Sequence, residues 1–393
     1  MNFSARRTRQ FYAWHKWTGL FAGLFIFVIS LSGVVAVFKE DLDWLLTPAK
    51  RVAPAGRRAS FDEVLGGVRQ QYPEGTITNV RFPPDARTAY TIGVERKGAD
   101  RVEVFVDPHT GHVTGARTGE TAANVIRQLH VRFYYFGAWG RVMIGVFGVL
   151  LFVSTLTGLF IYWRFMKAVF AQGLRFWQVR QGRGLQVSSS DWHKLVGMVA
   201  LVFNFVIALT GAVLGLENLS RYAPAVDRAL HPRPVLQTKQ PQPHQLPSTE
   251  GPALIAEEAL SRARLALPGF EPTSMSPPAA GKNHFVFHGN VRGRFERAGA
   301  SFVVIAAGGG ATLDIHDAAQ ARASTRAYNL NEPLHFGDFG GLPLKLVYCL
   351  FGLTTPFLSI TGFVIYALKR RRHRASRRAA NAGSPAGRGE LQR

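Results

Sequence analysis

Residues 14–33 and 192–211 are copies of one another, and each lies in a long apolar run. The first opens Trp14-His15-Lys16-Trp17-Thr18-Gly19, the second Trp192-His193-Lys194-Leu195-Val196-Gly197. At the same offset Phe25 matches Phe203, Phe27-Val28-Ile29 matches Phe205-Val206-Ile207, Leu31 matches Leu209 and Gly33 matches Gly211. A second pair of runs also aligns. Phe147-Gly148 matches Phe351-Gly352, and Thr157-Gly158 with Ile161-Tyr162 matches Thr361-Gly362 with Ile365-Tyr366. The chain is a tandem duplication, and each half reads as apolar span, intervening domain, apolar span.

A helix needs about 20 apolar residues to cross a bilayer. Residues 18–38, 142–163, 195–216 and 342–368 meet that length. The first run follows an Arg-rich start and could be taken for a cleaved leader. It is long for a leader's apolar core, and a copy of it forms the third span, so it is expected to stay as a membrane helix.

The net charge is +22, and 17 of those charges lie in three blocks: 1–17 (+4), 164–194 (+5) and 369–393 (+8). Each block flanks an apolar run, which is the positive-inside signature of a cytoplasmic face. Residues 1–17, 164–194 and 369–393 are therefore expected in the cytoplasm, and 39–141 and 217–341 outside. The outside is the periplasm for a bacterial inner (cytoplasmic) membrane. Trp14, Trp17, Trp139, Trp163 and Trp192 fall near span ends, where interfacial aromatics belong. No nucleic acid partner is expected, because the basic residues form no folded patch; membrane lipid is. The tail from residue 374 to 393 reads as disordered.

The single cysteine, Cys349, excludes an internal disulfide, a four-cysteine iron–sulfur cluster and haem attached through C-x-x-C-H. Any redox cofactor must be held by other residues. Of the 12 histidines, four fall at equivalent points of the repeat: His15 and His193 just before spans one and three, His130 and His335 shortly before spans two and four. Two imidazoles from facing helices can hold a haem iron from both sides. Two such pairs would hold two haems, one near each face. The same residues also read as polar anchors at the interface. Lys16 and Lys194 read either as snorkelling cations or as partners for a haem propionate.

All four spans carry a Ser/Thr-Gly pair: Ser32-Gly33, Thr157-Gly158, Thr210-Gly211 and Thr361-Gly362. Small residues allow close helix packing in lipid; they also make room for a flat macrocycle. The outer segments read as α+β. In the first, a helix over 61–72 carries a Ser60/Glu63 capping box. Strands are expected at 80–82, 90–94 and 102–106, followed by the turn Asp107-Pro108-His109-Thr110-Gly111-His112. His109 and His112 are weak metal candidates. In the second, residues 224–247 read as a Pro/Gln-rich linker, 252–267 as a helix, 285–288 and 302–305 as strands, and Gly308-Gly309-Gly310 as a turn. His284 and His288 alternate on the first of those strands and are a weak acceptor-site candidate.

Taken together, Trp14-His15-Lys16 through Ser32-Gly33, the Asp107-Pro108 to Gly111 turn, and Leu334-His335-Phe336-Gly337-Asp338-Phe339-Gly340-Gly341 leading to Thr361-Gly362 and the basic 369–372 resemble the PepSY-associated transmembrane family. The resemblance reaches about residue 373. It implies a mainly α membrane protein, a four-helix bundle from a tandem repeat with two periplasmic α+β PepSY-like domains. Through members that resemble ferric-siderophore reductases, it implies haem b, two per chain, ligated by His15, His193, His130 and His335. It also implies reduction of Fe(III) on a siderophore, with release of Fe(II). The second PepSY-like unit departs from the pattern, lacking the Asp-Pro-x-Thr-Gly turn.

No dinucleotide-binding glycine motif is present, so if the chain reduces anything, electrons must come from a quinol or a cytoplasmic reductase. The basic 164–194 loop with Trp177 reads as a docking place for an acidic donor or as a lipid contact. Two other readings compete: a non-redox PepSY membrane protein that binds or regulates a periplasmic partner such as a peptidase, and a transporter of iron or siderophore.

Overall fold

The computed structural model describes residues 5–134, 136–172, 179–180, 182–220, 254–279 and 283–382. The expected linker at 224–247, Trp177 and residues 383–393 lie outside them; residues 374–382 of the tail expected to be disordered are helical, continuing the last span. The chain divides into a helical unit (Met1–Val37, Ile126–Tyr222, Gly340–Arg393) and a sheet unit (Phe38–Val125, Ala223–Phe339).

In the helical unit, α1 runs Ala5–Ala36. After α2 (Lys39–Leu46), α3 (Phe61–Gln71) and α4 (Ala122–Arg132), α5 runs Gly137–Gln172. Then come α6 (Leu185–Val199) and α7 (Leu201–Ser220). Three helical stretches are long and apolar enough to cross a membrane: Arg6–Ala36, Trp139–Trp163 and Asp338–Ala379. The third span read in the sequence is instead a bent pair, Leu185–Val199 and Leu201–Gly215, at 70° about Ala200. The last span has a milder interruption at Leu353 between Gly341–Gly352 and Thr354–Ala382. There Pro356 has no N–H for the carbonyl of Gly352.

Helix α1 packs on α5 and on the Thr354–Ala382 helix; α6 packs on that same helix and α7 on α5. The α5–α7 seam is made by glycine. A Cβ on Gly145 would stand 2.7 Å from the Cα of Gly215, and one on Gly148 would stand 2.9 Å from the nitrogen of Ala212. Bare backbones meeting like this supply the dispersion contact that drives helix association in lipid. The repeat is visible in packing too. Phe25 stacks on Phe147 at 4.6 Å, and their counterparts Phe203 and Phe351 lie 5.5 Å apart.

The sheet unit holds strands β1 (Thr76–Arg81), β2 (Tyr90–Arg96), β3 (Ala99–Val106) and β4 (Val113–Thr118). These are followed by α8 (Ala256–Ala266), β5 (Phe270–Ser276), β6 (His284–Val291), β7 (Ser301–Ala306), β8 (Thr312–His316) and α9 (Ala323–Phe336). The final span completes the numbering as α10 (Gly341–Gly352) and α11 (Thr354–Ala382). The two outer α+β units read in the sequence are the two halves of one antiparallel sheet, in the order β4-β3-β2-β1-β5-β6-β7-β8. They join edge to edge, Val80 opposite Met275 and Arg81 opposite Ser274. Pairing the two β1-type edges removes one exposed edge from each half.

Helices α3 and α8 share a core with one face of the sheet. Phe61, Val64, Leu65 and Val68 are buried on α3, and Ala256, Ala259, Leu260 and Ala263 on α8, the same four positions at a constant offset. They meet Val80, Ile92, Val104, Met275, Phe287 and Ile305. The second half therefore keeps the fold although it lacks the Asp-Pro-x-Thr-Gly turn. In the first half, the nitrogen of Gly111 returns to the carbonyl of Asp107 at 2.9 Å, and Gly111 has φ +74° beside the backbone of Glu63. Only glycine takes that conformation at little cost there.

On the sheet's other face one row crosses all eight strands: Gly115, Phe105, Thr91, Arg81, Ser274, His288, Phe302 and His316. Phe105 is fully buried beneath the cations of Lys50 and Arg117.

Candidate functional site

His15 lies on α1 and His193 on α6. Their rings approach to 6.1 Å between centroids, with planes at 83°. Both rings are seated at matched positions of the second span of their own half. The Nδ1 of His15 lies 2.9 Å from the carbonyl oxygen of Ser154 and 3.4 Å from the hydroxyl of Thr157. The Nδ1 of His193 lies 2.8 Å from the hydroxyl of Thr361, with the carbonyl of Leu358 as a further acceptor. Ser154 and Leu358 are repeat counterparts, as are Thr157 and Thr361. Beside each ring stands the glycine of the Thr-Gly pair: a Cβ on Gly158 would be 3.3 Å from His15, and one on Gly362 would be 3.5 Å from His193.

His130, on α4, is held by the same device. Its Nδ1 lies 2.8 Å from the carbonyl of Ile29, and a Cβ on Gly33 would fall 2.7 Å from its ring. Three of the four Ser/Thr-Gly pairs thus make room for an imidazole, a role the sequence reading did not include. The fourth behaves differently: Gly211 faces α5, where a Cβ on Gly148 would meet its carbonyl carbon at 3.1 Å. His335 belongs to the sheet unit, half-buried near the end of α9 with its ring at 5.9 Å from that of Phe336.

A carbonyl can only accept, so a ring whose Nδ1 faces one must carry its proton there. His15 and His130 then carry a proton on Nδ1. That tautomer is the one a metal-ligating histidine needs, and second-layer carbonyls commonly fix it. Spacing fits as well. Two imidazole–metal bonds of about 2 Å, plus the distance from each nitrogen to its ring centre, give roughly 6 Å between centroids. By spacing, His15 and His193 are the residues that could together hold a metal-centred group such as haem.

Other candidates resolve differently. His109 is 5% exposed and has both ring nitrogens on carbonyls: Nδ1 at 3.0 Å from Arg57, Nε2 at 2.9 Å from Ala86. Two carbonyls facing both nitrogens favour the protonated ring and leave neither nitrogen open to a metal. The carbonyls of Ala86 and then Arg57 raise its pKa above the ordinary 6.5. His284 is buried on β6; His288 pairs with Phe302, on whose other side His316 stacks at 5.1 Å. Among the described residues no group of three or more His, Cys, Asp or Glu side chains is placed to hold a metal ion. Lys16 lies over the ring of Trp17 at 4.4 Å, and Lys194 is 3.6 Å from Asp191.

Ser154, Thr157 and Thr361 were missed by the sequence reading as partners of the histidines. Their signal was present, because Thr157 and Thr361 occupy matched places in the repeat; the pairing across helices was not.

An uncharacterized protein of Pseudomonas aeruginosa is 27% identical to this chain over an alignment of 263 residues that covers 63% of this chain. The match spans 64% of that relative's length. The model of the PepSY-associated TM region matches residues 12–369, the whole repeat with all four histidines, and the chain is a membrane protein that belongs to that family.

Proposed function

We propose that this chain is a di-haem b reductase of the bacterial inner membrane, carrying electrons to Fe(III)-siderophore in the periplasm and releasing Fe(II). In this reading the four spans form one bundle, counting α6–α7 as the bent third. Both termini and the 164–194 loop are cytoplasmic, and the sheet unit is periplasmic. His15 and His193 hold the inner haem. His130 is the candidate ligand of the outer one.

The observation that carries the reading is the approach of the His15 and His193 rings to 6.1 Å between centroids, with Nδ1 of each tied to the flanking span. Interface anchors have no need to approach one another or to occupy matched seats. Bound haem supplies one-electron chemistry. The chain's own residues orient the rings and hold the proton on Nδ1 of His15 against Ser154. Each Fe(III) reduced takes one electron, drawn from a quinol or a cytoplasmic reductase. Siderophores hold Fe(III) through hard oxygen donors, and Fe(II) is held more weakly, so reduction frees the iron.

The test is the reduced-minus-oxidised spectrum of the detergent-purified chain, with a pyridine haemochrome count. About two b-type haems per chain are expected, with the inner one lost in His15→Ala and His193→Ala. Full haem content in both variants would sink the assignment. A chain that takes up no haem would favour the non-redox regulator.

A further inference from the structure

The two rings of the inner site sit on matched frames but are held by different atoms. For His15 the short bond, 2.9 Å, goes to a backbone carbonyl, Ser154, and the Thr157 hydroxyl is the distant partner at 3.4 Å. For His193 the order reverses: the short bond, 2.8 Å, goes to the hydroxyl of Thr361, and the backbone carbonyl, Leu358, is the further acceptor. That hydroxyl spends its own proton on the carbonyls of Phe357 (3.0 Å) and Leu358 (3.2 Å). Its oxygen can then only accept, so His193 is the donor through Nδ1–H.

The surroundings diverge in the same sense. Beside His15, the Thr18 hydroxyl lies 2.6 Å from that of Ser154. The counterparts of these two residues, Val196 and Leu358, are apolar. The His15 side is thus tied by backbone and backed by a polar pair, whereas the principal tie of His193 is one removable side-chain oxygen.

We propose that Thr361 is a positioning residue that locks His193 in its Nδ1–H tautomer and sets how strongly Nε2 donates to the group the inner pair binds, a role Thr157 does not share. What the pair binds rests on the haem reading above; the tautomer lock does not.

The experiment uses 15N-histidine spectra of the full chain in detergent, before and after haem is added. Wild type and Thr361→Ser should show His193 protonated at Nδ1. Thr361→Val, which keeps the shape and removes the oxygen, leaves Nδ1 only the further Leu358 carbonyl; it should show mixed tautomers and bind haem about tenfold more weakly. Thr157→Val should leave both rings locked and affinity within about twofold, since the Ser154 carbonyl remains. A wild-type His193 protonated at Nε2 would overturn the proposal. So would a Thr361→Val spectrum identical to wild type, or equal losses in Thr157→Val and Thr361→Val. If the tautomers behave as expected but no variant takes up haem, the Thr361 assignment stands and the reductase reading falls.

Discussion

Asp62 and Glu257 each cap the other's helix. Asp62 is the second residue of α3, and its carboxylate accepts the nitrogens of Ala256 and Glu257 at 3.0 Å each. Glu257 is the second residue of α8, and its carboxylate accepts the nitrogen of Phe61 at 2.5 Å. Each satisfies free N–H groups in its neighbour's first turn and lies at the positive end of both dipoles. The exchange follows from two copies of one motif packed side by side.

Asp62→Ala should therefore cost more than a local cap. Loss of a capping side chain costs about 1 kcal/mol, and here it frees two N–H groups of the partner helix. Urea unfolding should show Asp62→Ala destabilised by about 1–2 kcal/mol, and Glu257→Ala by less, since it caps one. A neutral Asp62→Ala would show that the exchanged caps do not hold the halves together.

The glycines beside the histidines should tolerate alanine unequally. The added Cβ would stand 2.7 Å from His130 at Gly33, 3.3 Å from His15 at Gly158 and 3.5 Å from His193 at Gly362. Gly33→Ala must displace its ring and should cost about 1–3 kcal/mol, as overpacking does. Gly158→Ala should shift its ring slightly, and Gly362→Ala should be near neutral. Thermal unfolding of the three variants should rank in that order; a Gly362→Ala that is worst would reverse the geometric reading.

His109 predicts a pH dependence with a defined sign. Its folded pKa is raised above 6.5, chiefly by the carbonyls of Ala86 and Arg57, while Asp107 favours and Arg58 opposes the charge. A raised pKa adds stability that is fully present below 6.5 and is lost as pH rises through the folded value. Denaturant midpoints should fall over that window in wild type, and the fall should be smaller in His109→Gln. Equal slopes in the two proteins would remove His109 as the cause.

A buried ionic group fixes the segment that leaves α1. Asp43 is bonded to Lys50 and to Arg117, and Arg117 also reaches Glu103 at 2.6 Å. Burial pushes the Asp43 carboxyl up, but the bonds from Arg117 and Lys50 outweigh it and hold the pKa below the ordinary value. Its stabilisation is present above the ordinary carboxylate range and is lost as pH falls through the folded value. Asp43→Ala leaves Lys50, 6% exposed, without its carboxylate. Breaking such a pair should cost about 3 kcal/mol, read as a drop in the unfolding midpoint with the sharpest effect near neutral pH.

Periodicity and repeat alone determined the apolar runs, the duplication, the α3 capping box and the four histidines. All of these are local patterns: a helix shows its apolar face every three to four residues, and Ser60 and Glu63 meet within one turn. Strands β4, β5 and β8 were not legible. Val113–Thr118, Phe270–Ser276 and Thr312–His316 carry Gly, Pro and charge that weaken alternation, and their pairing partners supply the missing stability. Only the tertiary structure decided that the two α+β halves form one sheet, that the third span bends at Ala200, and that Gly33, Gly158 and Gly362 seat imidazoles. These depend on which backbones meet. A one-dimensional pattern marks a residue as small or apolar, but not which ring will stand 3 Å from it.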